Sequence, residues 1–246
     1  MKNTTNFLSR IKAKFGSFFG MHYFKCICCG ADVFDESGIC VLCKPKIELN
    51  DGKTCVKCGK PVVENDFCNC GKRELFFDRA YSPLIYDGLT RKAMLSYKFG
   101  GMTYISKTFS KMLADKAVKE NIDFDIVTYV PLTKKDLRKR GYNQTSLLAH
   151  GFCDILALSQ PMELLTKIKQ TKKQEKLDFK ERSTNLVGAF IVTDKSIIKG
   201  KKVLIIDDVF TSGATTSECA KVLKKNGAEK VFVLTVATRK ENILMD

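Results

Sequence analysis

The stretch from Val203 to Thr215 places the tightest limit on what this chain can fold into. Its first four residues, Val203 to Ile206, are all apolar, which is typical of a strand covered on both faces of a parallel sheet. Asp207 and Asp208 follow directly, at the strand end where α/β sheets place their ligands. A turn rich in hydroxyl groups then leads into a helix, whose first backbone N–H groups favour an anion. The pattern predicts an anion-binding turn in an α/β domain.

The residue types in this turn suit a sugar phosphate. Thr211, Ser212 and Thr215 supply hydroxyl donors, and Gly213 lets the backbone approach a phosphate without an intervening Cβ. Two adjacent carboxylates at the end of a buried strand are costly without a partner, and ribose hydroxyl groups can be that partner. The lysine of the G-x-x-x-x-G-K-[ST] nucleotide loop is missing, which argues against ATP or GTP binding by that route.

The same thirteen residues resemble the signature of type I phosphoribosyltransferases, which binds 5-phosphoribosyl-1-pyrophosphate (PRPP). The resemblance implies that the two acids hold the ribose 2- and 3-hydroxyl groups and that residues 211–215 surround the 5-phosphate. The PRPP site it implies comprises Asp207, Asp208, Val209, Phe210, Thr211, Ser212, Gly213, Ala214 and Thr215.

Strands and helices alternate from residue 79 onward. Apolar periodicity and turn residues predict strands over 80–86, 125–130, 186–192, 203–206 and 231–236, and helices over 89–99, 104–118, 143–158 and 214–225. Alternation of this kind predicts a doubly wound parallel sheet. The fold class is therefore α/β, with the type I phosphoribosyltransferase sheet preceded by a small cysteine-rich module.

Two basic segments are candidates for contact with pyrophosphate. The first follows Pro131 and contains Lys134, Lys135 and Arg140, of which Arg140 could grip a phosphate with two parallel hydrogen bonds. The second runs from Lys167 to Arg182 and has the composition of a mobile flap that excludes water from a reacting ligand. A departing pyrophosphate needs fixed cations or Mg²⁺. The alternatives are a solvated charged turn and a charged linker.

Nine of the eleven cysteines fall between residues 26 and 70. Without an export signal, closely spaced pairs indicate metal ligands rather than disulfides, and complete sets of four thiolates indicate structural Zn²⁺. Cys28 is a spare that could replace Cys26, and interleaved pairing of the two sets is also open. The predicted sets are Cys26, Cys29, Cys40 and Cys43, and Cys55, Cys58, Cys68 and Cys70.

The charge balance and the N-terminus bear on partners and location. A formal net charge of +15 favours a polyanion, although a Lys-rich solvated surface would give the same number. Residues 1–22 have the pattern of a basic amphipathic helix, which could dock on an acidic membrane or pack on its own domain. No apolar run is long enough to span a bilayer. We therefore expect a soluble cytoplasmic protein, in contact with the inner membrane if that helix docks there.

The motifs taken together resemble the ComF competence-protein family. The resemblance rests on the cysteine pairs, Val130-Pro131-Leu132, the segment Arg140 to Gln144, Thr171 with Gln174, Arg182 with Asn185, and the Asp207-Asp208 turn. It implies a double zinc ribbon over 23–73 and a phosphoribosyltransferase-like domain over 78–240, and the helix predicted over 1–22 precedes these two regions. Lys167 stands where the family usually has arginine, so its grip on a phosphate would be weaker.

The resemblance also implies a part in natural transformation, handling incoming single-stranded DNA. Three compatible hypotheses follow. One is an enzyme or sensor that binds PRPP with Mg²⁺, in which Asp207 and Asp208 fix the ribose while Arg140 and Lys167 neutralise pyrophosphate. The acceptor and turnover itself are left open. A second is a protein that binds single-stranded DNA through basic loops and the zinc module. A third is an adaptor that joins a membrane DNA channel to a cytoplasmic helicase through the N-terminal helix and the zinc ribbons.

Overall fold

The computed structural model describes residues 24–35, 37–62, 68–170 and 185–240. The helix predicted for residues 1–22 and most of the flap predicted over 167–182 lie outside these ranges. Within the described ranges, no helix combines the length and the apolar character needed to cross a membrane.

The described elements alternate along the chain. The strands are β1 (Phe24–Lys25), β2 (Asp32–Val33), β3 (Arg79–Tyr81), β4 (Leu84–Ile85), β5 (Ile126–Tyr129), β6 (Leu165–Lys167), β7 (Phe190–Val192), β8 (Lys202–Phe210) and β9 (Lys230–Thr238). The helices are α1 (Gly88–Phe99), α2 (Ile105–Lys119), α3 (Lys134–Arg140), α4 (Gln144–Ile155), α5 (Lys195–Ile198) and α6 (Ala214–Lys225), with 3-10 turns at Lys44–Lys46 and Asn69–Lys72.

A five-stranded parallel sheet forms the centre of the molecule. Its order is β3-β9-β8-β5, and β4 also pairs with β9. β6 and β7 form a separate antiparallel pair, as do β1 and β2. Because all five central strands run the same way, their carboxyl ends meet at one edge, where ligands of α/β proteins bind.

Both faces of the sheet are covered. Leu204 and Ile206 of β8 point into a core shared with α1, α2 and α4. Val203 and Ile205 point into a second core, which includes α6 and the β6–β7 pair. Alternate residues of a strand face opposite sides of the sheet, and both sides of β8 are covered, so consecutive residues of β8 must be apolar. The predicted doubly wound α/β fold is confirmed.

The cysteine-rich segment packs along the edge formed by β3 and β4. The amide of Ala80 donates to the carbonyl of Lys57 at 2.9 Å, and the amide of Ile85 donates to Glu48 at the same distance. The Asn50 amide nitrogen donates to the carbonyls of Gly59 and Ser82. Backbone pairing therefore joins the module to the sheet, while the boundaries predicted for the two regions remain a prediction.

Several predicted elements differ from the structure. The strand predicted over 80–86 is divided into β3 and β4, and the strand predicted over 186–192 begins only at Phe190. The strand 203–206 extends through both acids to Phe210, because β9 pairs with β8 along its whole length as far as Thr238. The basic segment after Pro131, read as a loop, contains the helix α3. Thr133 caps it by accepting a hydrogen bond from the Asp136 amide at 3.1 Å, and Gly141 ends it in the left-handed conformation.

Candidate functional site

Asp207 and Asp208 lie near the carboxyl end of β8, and both are buried. Each carboxylate accepts a hydrogen bond from the next backbone amide, Asp207 from Asp208 at 2.8 Å and Asp208 from Val209 at 2.6 Å. Adjacent residues of a strand point to opposite faces, so the two acids have different surroundings.

Asp208 has two side-chain partners from distant parts of the chain. The ammonium group of Lys98, at the end of α1, lies 2.8 Å from Oδ1, and the side-chain amide of Gln144 donates to Oδ2 at 2.8 Å. The Lys98 and Asp208 side chains are 19% and 9% exposed, so the pair is largely screened from water and holds the carboxylate in one orientation.

Arg140 reaches Asp208 through Gln144. Its guanidinium group donates to the Gln144 side-chain oxygen and lies over the ring of Phe99, with 5.2 Å from Cζ to the ring centroid. The buried hydroxyl of Tyr97 donates to the Gln144 carbonyl at 2.6 Å, and the Tyr142 hydroxyl donates to the Tyr97 carbonyl. These hydrogen bonds and the cation–π contact join the end of α1 to the residues at and between the end of α3 and the start of α4.

Asp207 is the acid whose titration the fold changes most. Burial, together with the charge of Asp208, raises its pKa to about 7, while Lys98 and Lys167 act in the opposite direction. Burial also lowers the pKa of Lys167 below its ordinary value, against the charges of Asp136 and Asp207. Lys167 is the last residue of β6, so the structure brings this predicted cation close enough to the acids to interact.

The turn after β8 leads into α6 through Gly213, whose φ of +80° is left-handed. A Cβ at this position would lie 2.6 Å from Cζ of Phe210, so both the conformation and the space require glycine. The N-cap residue of α6, Gly213, has no side chain to cap the helix, and the Ala214 amide donates to the Ser212 hydroxyl at 3.4 Å. The first amides of a helix have no partner within the helix, and here they begin at the end of the acid-bearing strand.

Lys134 and Lys135 lie exposed in the first turn of α3. Among the described residues, no ion pair joins either of them to Asp207 or Asp208. The structure therefore brings Arg140 and Lys167 to the acids and leaves the other two predicted cations at the rim.

The eight predicted thiols form two groups without interleaving: Cys26, Cys29, Cys40 and Cys43, and Cys55, Cys58, Cys68 and Cys70. Within each group the sulfur atoms all lie within 4.8 Å of one another. The distance between the two sulfur atoms is 3.7 Å for Cys29 and Cys40, 3.5 Å for Cys55 and Cys70, and 3.3 Å for Cys58 and Cys68.

These distances fit a tetrahedral zinc. Zn–S bonds of about 2.3 Å place two sulfurs of a tetrahedron about 3.8 Å apart. Backbone amides also point at the thiols, with Cys40 N–H 3.4 Å from the sulfur of Cys26 and Lys57 N–H 3.4 Å from that of Cys55. Cys28 is outside both groups, and burial together with the charge of Cys26 raises its pKa to about 12. Each group could therefore hold a structural zinc.

Sequence reasoning gave no role to Lys98 or Gln144. Gln144 closes the Arg140–Gln144 segment that carries the family resemblance, so a signal for it was present. Lys98 lies 110 positions before Asp208, in a helix that also carries Arg91 and Lys92, and no local pattern distinguishes it from them.

The fold and the site define the class: an α/β protein with a phosphoribosyltransferase-type domain and two four-cysteine groups at its N-terminal side. The family model described as "Phosphoribosyl transferase domain" matches residues 130–246. Competence protein F of Haemophilus influenzae is 28% identical over 223 residues, which cover 87% of this chain and 96% of that protein. Competence protein ComFC of Bacillus subtilis is 27% identical, with 78% and 80% covered.

DNA utilization protein YhgH of Escherichia coli is also 27% identical, over 80% of this chain and 88% of that protein. The resemblance to the ComF family that the motifs predict is therefore confirmed over most of the chain.

Proposed function

We propose that this protein holds a sugar phosphate at the carboxyl edge of its sheet and uses this site to handle single-stranded DNA during natural transformation. PRPP with Mg²⁺ is the small-molecule ligand that the site suits. The observation that carries the proposal is the strand–turn–helix junction: two buried carboxylates at the end of β8, followed by the left-handed Gly213 and the start of α6.

The carboxylates of this junction suit the hydroxyl groups of a ribose phosphate, and its turn suits the phosphate. Asp207 and Asp208 can accept hydrogen bonds from ribose hydroxyl groups, and Lys98 and Gln144 already fix the second carboxylate. The turn residues 211–215 present amides and hydroxyl groups to a phosphate. Mg²⁺ would supply positive charge to the pyrophosphate of PRPP.

The names of these three relatives support the proposed handling of DNA. Two are named competence proteins and one a DNA utilization protein. The net charge of +15 favours a polyanion, and the exposed cations of α3 lie beside the proposed site. A contact with a membrane DNA channel and a cytoplasmic helicase belongs to the same proposal.

A second candidate is transfer of the phosphoribosyl group to an acceptor. The observation that favours it is the pair Arg140, linked to Asp208 through Gln144, and Lys167, which interacts with the charge of Asp207; both could neutralise a departing pyrophosphate. The substitution of lysine for the usual family arginine at position 167 favours binding over fast turnover, since lysine lacks the planar two-pronged grip.

The experiment is a titration of PRPP–Mg²⁺ and of a single-stranded oligonucleotide into wild type and the Asp207→Asn/Asp208→Asn variant. We expect PRPP affinity to fall at least tenfold. The matched control is Asp123→Asn/Asp125→Asn, which makes the same charge change near the amino end of β5. Equal loss in both variants, or no binding of either ligand to wild type at low salt, would overturn the proposal.

A further inference from the structure

Phe99 is an exposed aromatic residue in an unusual place. It ends α1 and is 67% exposed, although the Arg140 guanidinium lies over its ring. A single exposed apolar side chain is common on protein surfaces and needs no explanation by itself. What distinguishes Phe99 is that both of its contacts lead to the proposed sugar-phosphate site.

The first contact is along the backbone. Lys98 precedes Phe99, and its ammonium group is 2.8 Å from Asp208. The second is through Arg140, which donates to Gln144, while Gln144 donates to the same carboxylate. Phe99 is therefore connected to Asp208 from two directions, through Lys98 and through Arg140 with Gln144.

The ring is also held in position. Tyr97, two residues earlier, is buried, and its hydroxyl donates to the Gln144 carbonyl. Tyr142 donates in turn to the Tyr97 carbonyl. The last turn of α1 is thus fixed to the segment that carries Arg140, so the aromatic ring and the guanidinium group keep their mutual placement without any ligand.

An exposed ring beside a planar cation is a surface on which nucleic-acid bases stack. We propose that Phe99 and Arg140 form a stacking platform for a base of single-stranded DNA whose adjoining sugar phosphate occupies the Asp207–Asp208 site. This platform rests on the proposed function, and it adds a contact to a DNA base beside the contact to the sugar phosphate.

The surroundings favour a strand over a free base. Phe99 lies at an open surface, whereas selection of a small free base needs an enclosed pocket with directed polar groups. Next to Arg140, the exposed cations of α3 offer contacts for further phosphates of the same strand: Lys134, Lys135, Arg138 and Lys139. Charge complementarity therefore extends from the platform along α3.

The test uses three probes on the full chain: labelled oligo-dT, an abasic sugar-phosphate oligomer of the same length, and PRPP–Mg²⁺. We expect Phe99→Ala to weaken oligo-dT binding roughly tenfold, as for loss of one stacked base, and to leave the other two affinities within about twofold. Phe99→Tyr retains an aromatic ring and should bind oligo-dT like wild type.

The control variant is Val118→Ala, which shortens another exposed apolar side chain near the opposite edge of the sheet. Unchanged oligo-dT affinity in Phe99→Ala would overturn the platform, and so would an equal loss for the abasic oligomer. Failure of wild type to bind any probe would instead count against the proposed function, so the two failures are distinguishable.

Discussion

Replacing Asp207 by asparagine should make the protein more stable at neutral and alkaline pH, although the residue belongs to the proposed binding site. The fold raises the pKa of Asp207 from 3.8 to about 7, because burial and the charge of Asp208 disfavour the charged form. In the unfolded chain the acid ionises freely. Asparagine has nearly the same shape, carries no charge, and can still accept the hydrogen bond from the Asp208 amide.

The magnitude follows from the two pKa values. Because the folded pKa is raised, the stability contribution of Asp207 is fully present below about pH 4 and is lost as the pH rises through about 7. At about 1.4 kcal/mol for each pH unit by which a pKa moves, the cost reaches at most about 4 kcal/mol. Between pH 6 and 8.5 the advantage of Asp207→Asn should grow by about 1 kcal/mol and then level off.

The assay is denaturant unfolding of wild type and Asp207→Asn at several pH values from 6 to 8.5. This range avoids the acid conditions in which thiol protonation weakens metal binding. The adjacent control is Asp208→Asn, which leaves the Lys98 ammonium group without its partner and should destabilise by about 2–3 kcal/mol. A difference between wild type and Asp207→Asn that does not change with pH, or an Asp207→Asn variant less stable at pH 8.5, would refute the reasoning.

Three further results are expected. Gly213→Ala should lower the free energy of unfolding by more than about 2 kcal/mol and weaken PRPP binding, because the φ of Gly213 is +80° and a Cβ there would meet Phe210. Gly200 is also left-handed but has open space around it, so Gly200→Ala should cost only about 1 kcal/mol in thermal melts. Metal analysis should give two zinc ions per chain, and Cys40→Ser should remove one without affecting the Cys55 group; a chain with no zinc would contradict this. Oligonucleotide affinity should fall steeply between 50 and 200 mM salt, about 10-fold or more; an affinity independent of salt would exclude phosphate contacts.

The parts of the fold that sequence could predict are those fixed by local patterns. The strand, the turn and the helix α6 follow from consecutive residues, and the helix bounds were predicted as Ala214 to Lys225. The spacing of the cysteines likewise predicted the two groups, because two thiols separated by two residues can reach one metal, although it left interleaved pairing open. The helix α3 was missed, although Thr133 and Asp136 form a recognisable cap for its start.

The rest depends on contacts between distant parts of the chain. β8 continues past the acids only because β9 lies beside it up to Thr238. The partners of Asp208, Lys98 and Gln144, come from two different helices, and no sequence pattern links them to the acid. The sequence also left open whether Cys28 replaces Cys26 in the first thiol group, and the structure places Cys26 there.

The central claim is that the turn after β8 holds the phosphate of a ribose phosphate. A crystal structure of the full chain with PRPP–Mg²⁺ tests it most directly. We predict the 5-phosphate within about 3 Å of backbone amides in residues 211–215, with the ribose hydroxyl groups on Asp207 and Asp208. A ligand bound to the exposed lysines of α3 instead, with no contact to that turn at saturating concentration, would contradict the account.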